Sequence, residues 1–127
     1  LTDGNDMCAA AAIFAGCRFY SGYPITPSTE IMQLLSREIW KYGGTVLQAE
    51  DEIAGIGAAV GASFAGLKAL TATSGPGMSL KTEMLGLATI AEEWLGLEGH
   101  PAGILALVFA LLIAVMGLRA VYAVVIG

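Results

Sequence analysis

Three times between residues 17 and 92 the chain passes from a short β-prone run, through a turn or a polar junction, into a helix-length stretch. Few folds accept that alternation. Strands separated by helices pair in parallel through right-handed crossovers. The expected fold class is therefore α/β, an open parallel sheet with helices on both faces. In such a sheet all the strand-to-helix loops lie along one edge, where ligands bind.

The units read as follows. A leading Ala-rich helix is expected over about 5–15, closed by Gly16. Residues 17–21 form the first strand candidate. Tyr23-Pro24-Ile25-Thr26-Pro27-Ser28 is a turn, with Pro27 suited to a first helical position and Thr26 to its cap. The helix that follows is expected over 28–42, with Ile31, Leu34, Leu35 and Ile39 on one face, until Gly43-Gly44 stops it. Residues 45–49 are the second strand, and a helix over 51–65 follows. That helix carries Gly55, Gly57 and Gly61. Each interior glycine costs about 1 kcal/mol relative to Ala, so this run of small residues implies close packing against another element. Lys68 to Thr73 is the third strand. A helix over 78–92 then carries Leu80, Met84, Leu87 and Ala91 in register.

Only 13% of the residues are charged, against about 25% in an average soluble domain. So sparse a charged surface implies cover by a partner subunit, by the rest of a longer polypeptide or by a membrane. The net charge is -5, with no basic run, which gives nucleic-acid binding little support. Cys8 and Cys17 lack the spacing of a metal or redox pair, and two thiols cannot hold an iron–sulfur cluster. They read as buried thiols of a reducing, cytoplasmic compartment. The acidic start, LTDGND, does not read as a signal peptide, and its lack of Met reads as an excised or processed piece. Residues 104–126 carry one charge, Arg119. They are long enough for a membrane span and equally readable as two buried strands around a short helix, the reading that Val, Ile and Tyr over 121–126 favour.

Three features at expected strand ends could carry chemistry. Thr26 and the free N–H groups beginning the next helix could bind a carboxylate or phosphate; a rigid turn with a helix cap is the plainer reading. Glu50-Asp51-Glu52 could simply favour a helix N-terminus. Yet a carboxylate heading so apolar a helix, if buried against a ligand, is suited to proton exchange. Thr71-Ala72-Thr73-Ser74-Gly75-Pro76-Gly77 could be an ordinary turn, or a loop free of bulk against which a flat ring lies. It matches neither a phosphate loop nor GxGxxG. His100 reads as a loop residue, and Ser74 lacks the setting of a hydrolase nucleophile.

In this order and spacing GYPITPSTE, QAEDEIAGIGAAVGAS and TATSGPGMSLKTEMLGLA, preceded by DGND and AGCRFYSG, resemble the alpha subunit of 2-oxoacid:ferredoxin oxidoreductases, closest to the 2-oxoglutarate type. The resemblance covers roughly residues 2–93. It implies residues 1–93 as the pyrimidine-side domain core of a thiamine diphosphate enzyme, with 94–127 a divergent tail completing the same domain. By residue match it gives Glu52 the bond to the aminopyrimidine ring nitrogen. A carboxylate there favours the imino tautomer, which takes the proton from the thiazolium carbon. It places Ser74 and Gly75 beside the pyrimidine and Thr26 on the 2-oxoacid carboxylate. It also implies a beta subunit holding Mg2+ and the diphosphate, iron–sulfur clusters on partner chains, coenzyme A and ferredoxin. Homo- or hetero-oligomeric assembly follows, with no metal on this chain and no activity from the chain alone. Oxidative decarboxylation of 2-oxoglutarate, with pyruvate next, is the implied reaction. The family's arginine-bearing segment after residue 93 is absent, and its role is not passed to Arg119. A non-catalytic interaction domain of the same fold, tethered to a membrane by 104–126, is the alternative; a related transferase or decarboxylase fits YPITPS less well.

Overall fold

The computed structural model describes residues 3–94. The first helix, α1 (Gly4–Phe14), is capped by Asp3, whose carboxylate accepts from the Asp6 N–H at 2.8 Å. Strand β1 (Phe19–Gly22) leads through a turn at 26–28 into helix α2 (Thr29–Glu38), which tightens into a 3-10 turn over Ile39–Tyr42. Gly43 ends it at φ 76°, a left-handed conformation that glycine takes without a Cβ penalty. Strand β2 (Thr45–Gln48), helix α3 (Glu52–Phe64), strand β3 (Ala69–Leu70) and helix α4 (Gly77–Trp94) follow.

The sheet has the order β2-β1-β3, with both pairings parallel. Tyr20 stands opposite Val46 on one side and Leu70 on the other. Because side chains alternate along a strand, these three point to the same face. There they meet α1 and α2 in a core of Ala9, Ile13, Cys17, Tyr20, Ile31, Met32, Leu35 and Ile39. Leu35 and Ile39 are essentially inaccessible, each burial contributing about 1.5–3 kcal/mol. Helix α3 packs on β1 and β3 from the other face, and α4 packs on α3. The expected doubly covered parallel sheet is therefore what forms.

Gly22 explains how closely the layers approach. A side chain on it would occupy the place of the Tyr20 hydroxyl, 2.7 Å away. From the opposite side, the position of a Cβ on Gly55 lies 3.2 Å from the Gly22 Cα. The expected close packing of the glycine-bearing helix is this contact of backbone on backbone. Gly61 meets nothing within 4 Å.

Three expectations need correction. The helix after the proline turn begins at Thr29, not at Pro27, and its cap is Ser28, not Thr26. The reason is local: residues 26–28 fold as a turn in which Ser28 Oγ and the Thr29 N–H both return to the Ile25 carbonyl, at 2.9 and 3.0 Å. The third strand is two residues long rather than six, because the chain leaves the sheet after Leu70. The apolar stripe of α4 is not core, since Leu80 and Leu87 are each 50% exposed. The helix instead turns Gly77 and Lys81 inward. Cys17 is buried and Cys8 half-buried, both free, and burial pushes both thiols above their usual range. The segment 104–126 lies outside the described residues; among those described, no helix is long and apolar enough to cross a membrane.

Candidate active site

In this strand order the chain leaves β1 toward α2 on one face and leaves β3 toward α4 on the other. Adjacent strands whose exits diverge leave a crevice at their carboxyl ends, the usual ligand position in an open α/β sheet. Both expected loops, 23–28 and 71–76, begin at that crevice. They are tied directly: Ser74 Oγ donates to the Thr26 carbonyl at 2.6 Å. The turn is held from behind by Asn5 on α1, whose side-chain amide donates to the Pro27 carbonyl at 3.0 Å and to the Glu30 carboxylate. Thr26 and Gly75 are exposed, Gly75 at φ +53°, while Ser74 is half-buried.

The three consecutive acids divide their roles. Asp51 caps α3, accepting from the Ala54 N–H at 2.7 Å. Glu50 stays exposed. Glu52, the first residue of α3, is 7% exposed and turns inward. Its Oε1 lies 3.1 Å from where a Cβ on Gly77 would stand, and Thr73 Oγ1 lies 2.3 Å from that same point. A carboxylate and a hydroxyl therefore converge over a residue that has no side chain. The Thr73 hydroxyl is buried with no hydrogen-bond partner, an arrangement that costs free energy unless something else accepts or donates there.

Glu52, Thr26, Ser74 and Gly75 thus belong to one sheet edge. The structure links Thr26 to Ser74 by a hydrogen bond and sets Glu52 beside the helix that follows the same loop. Thr26 does not cap α2, whose N-cap position is Ser28. Among the described residues no cluster of His, Cys, Asp or Glu could hold a metal ion. A groove of about 490 Å³, lined in part by Pro24, Gln33, Arg37 and Gln48, opens beside α2 and includes none of Thr26, Glu52, Ser74 and Gly75.

Sequence reasoning missed Lys81. It is 1% exposed, and its Nζ donates to Thr71 Oγ1 at 2.6 Å and to the Ala72 carbonyl at 3.2 Å. Burial pulls the ammonium down to about 8, opposed by the negative charge of Glu52. The available signal was its spacing: four residues after Gly77, it shares that residue's helix face.

Residues 10–93 match the sequence family described as "Pyruvate flavodoxin/ferredoxin oxidoreductase, thiamine diP-bdg". The 2-oxoglutarate synthase subunit KorA of Methanocaldococcus jannaschii is 60% identical over 89 residues, 70% of this chain and 24% of that protein. The ketoisovalerate oxidoreductase subunit VorB of Methanothermobacter marburgensis is 45% identical over 92 residues, 72% of this chain and 26% of that protein. The solved 2-oxoglutarate:ferredoxin oxidoreductase from Magnetococcus marinus, with 2-oxoglutarate, coenzyme A and succinyl-CoA bound, superposes with a TM-score of 0.66 at 50% identity. That match covers 67% of this chain and 15% of the solved one. The chain spans about a quarter of the length of these curated relatives. With the ordered loops, the parallel sheet and the extent of the match all in agreement, the chain belongs to the thiamine diphosphate-binding family of pyruvate flavodoxin/ferredoxin oxidoreductases.

Proposed function

We propose that residues 1–93 are the pyrimidine-side core of an alpha subunit in a 2-oxoacid:ferredoxin oxidoreductase. The reaction is oxidative decarboxylation of a 2-oxoacid, 2-oxoglutarate ahead of pyruvate, to acyl-coenzyme A and carbon dioxide with reduction of ferredoxin. The names of the KorA relatives and of the Magnetococcus enzyme support the choice of substrate. The observation that carries the reading is Glu52, a buried carboxylate at the carboxyl edge of a parallel sheet.

The residues present fit a thiamine diphosphate pyrimidine ring. Gly77 adds no side chain beside the Glu52 carboxylate, and the unpartnered Thr73 hydroxyl that stands next to it offers a polar contact. When bound, thiamine diphosphate supplies the carbon nucleophile for the 2-oxo group. Glu52 bonds the aminopyrimidine ring nitrogen and controls the proton on it. Ser74 and Gly75 shape the loop along the ring, and Thr26 meets the substrate carboxylate. The diphosphate and its Mg2+ belong to a beta subunit, which with this chain encloses the site. The iron–sulfur clusters that pass electrons to ferredoxin lie outside residues 1–93, whose two cysteines cannot ligate them, and are assigned to partner chains.

The test is turnover in the assembled complex. With the beta subunit, thiamine diphosphate, Mg2+, coenzyme A and 2-oxoglutarate, the parent reduces a viologen dye. Glu52→Gln lowers that rate by about 10²-fold or more. A Glu52→Gln complex as fast as the parent refutes the assignment.

A further inference from the structure

We propose that Lys81 is a positioning residue for Glu52, a buried ammonium anchored at the exit of β3 that acts through the glutamate to hold its charge facing the aminopyrimidine. The inference rests on the role given to Glu52 above. Among the described residues, Lys81 and Glu52 are the two charged side chains that are buried. Leaving an isolated ammonium or carboxylate out of water costs several kcal/mol, so each calls for an opposite charge, and each is the other's only buried candidate. They are not in direct contact, because the one ion pair within 4.0 Å among the described residues is Lys41 with Glu38.

The arrangement follows from helix geometry. Gly77 and Lys81 lie one turn apart on the same face of α4, and a helical side chain leans back toward the N-terminus. The lysine therefore reaches back along the Gly77 side of the helix. The Glu52 carboxylate approaches Gly77 from α3, 3.1 Å from the place a Cβ would take. Lys81 Nζ is fixed meanwhile by Thr71 Oγ1 and the Ala72 carbonyl, at 2.6 and 3.2 Å. Those partners are neutral, and Glu52 is the charged group that acts on it from the packed elements; the Tyr20 hydroxyl reaches the Ala72 backbone from the core side, where burial keeps it protonated, its pKa pushed up to about 12, and Cys17 belongs to that same core.

Such a pair pre-organises the site. A carboxylate offset by a fixed cation can stay buried and aimed before any ligand arrives, instead of turning toward water. Lys81 loses its proton near pH 8, so its contribution is present below that pH and fades above it.

Thiamine diphosphate affinity, measured by calorimetric titration of the assembled complex with Mg2+ between pH 6 and 10, decides the matter. In the parent, Kd rises as pH passes about 8. Lys81→Met raises Kd about tenfold at pH 7, the equivalent of one pKa unit of lost charge interaction, and removes the step near pH 8. In a Glu52→Gln background the step is also gone, and adding Lys81→Met changes Kd less than about twofold, the sign of coupled residues. A Lys81→Met complex that binds like the parent, or losses that simply multiply, overturns the proposal. Should Lys81→Met not assemble, Glu52→Gln alone still decides, because a surviving step near pH 8 sinks it. Full turnover by Glu52→Gln instead strikes the role of Glu52 itself.

Discussion

Gly77 matters through an atom it lacks. A Cβ there would stand 2.3 Å from Thr73 Oγ1 and 3.1 Å from Glu52 Oε1. Thr73 is β-branched and its hydroxyl is buried, so it yields only at a cost. Gly77→Ala is expected to lose about 1–3 kcal/mol of stability through overpacking and to weaken thiamine diphosphate binding, seen by comparing thermal unfolding with cofactor titration. A variant that melts and binds like the parent contradicts this account. At this scale acids at a helix start and a Gly-rich bend were legible as features, and it was the family resemblance that singled out Glu52 and Ser74 among them. Lys81 stayed hidden since lysine is almost never buried, and nothing local to KTEM reveals a hydroxyl and a carbonyl waiting just past the end of β3.

The contact of α3 with β1 sets how the elements stack. Gly55 on Gly22 leaves room for hydrogen and little else. Gly55→Val is expected to destabilise the fold by about 1–3 kcal/mol through overpacking, read as a lower denaturation midpoint at unchanged slope. A neutral result would mean that the layers can part without cost. The periodic signals made the element order legible, and the strand-helix alternation gave the parallel sheet. Boundaries failed where tertiary geometry decided them. The 26–28 turn closes on Ile25 rather than starting a helix. The β-prone run after Lys68 pairs over only two residues, since the chain leaves the sheet after Leu70 while β1 runs on through Ser21 and Gly22. Leu80 and Leu87 read as a core stripe, yet the inward face of α4 holds Gly77 and Lys81; periodicity identifies an apolar face without saying what covers it.

For the molecule as a whole, the proposal makes the described residues one side of a site that a partner completes. They offer a carboxylate, a small-residue cradle and two loops, and among them no metal-holding cluster. The chain by itself is therefore expected to leave a viologen dye unreduced with 2-oxoglutarate and thiamine diphosphate present, and the beta subunit to restore reduction; measurable turnover without that partner would contradict the division. The bond from Ser74 to the Thr26 carbonyl joins positions 48 residues apart in the chain. During synthesis the ribosome releases the proline turn long before its tether. Until residue 74 has emerged that bond cannot form, so the two loops stay unjoined in the nascent polypeptide.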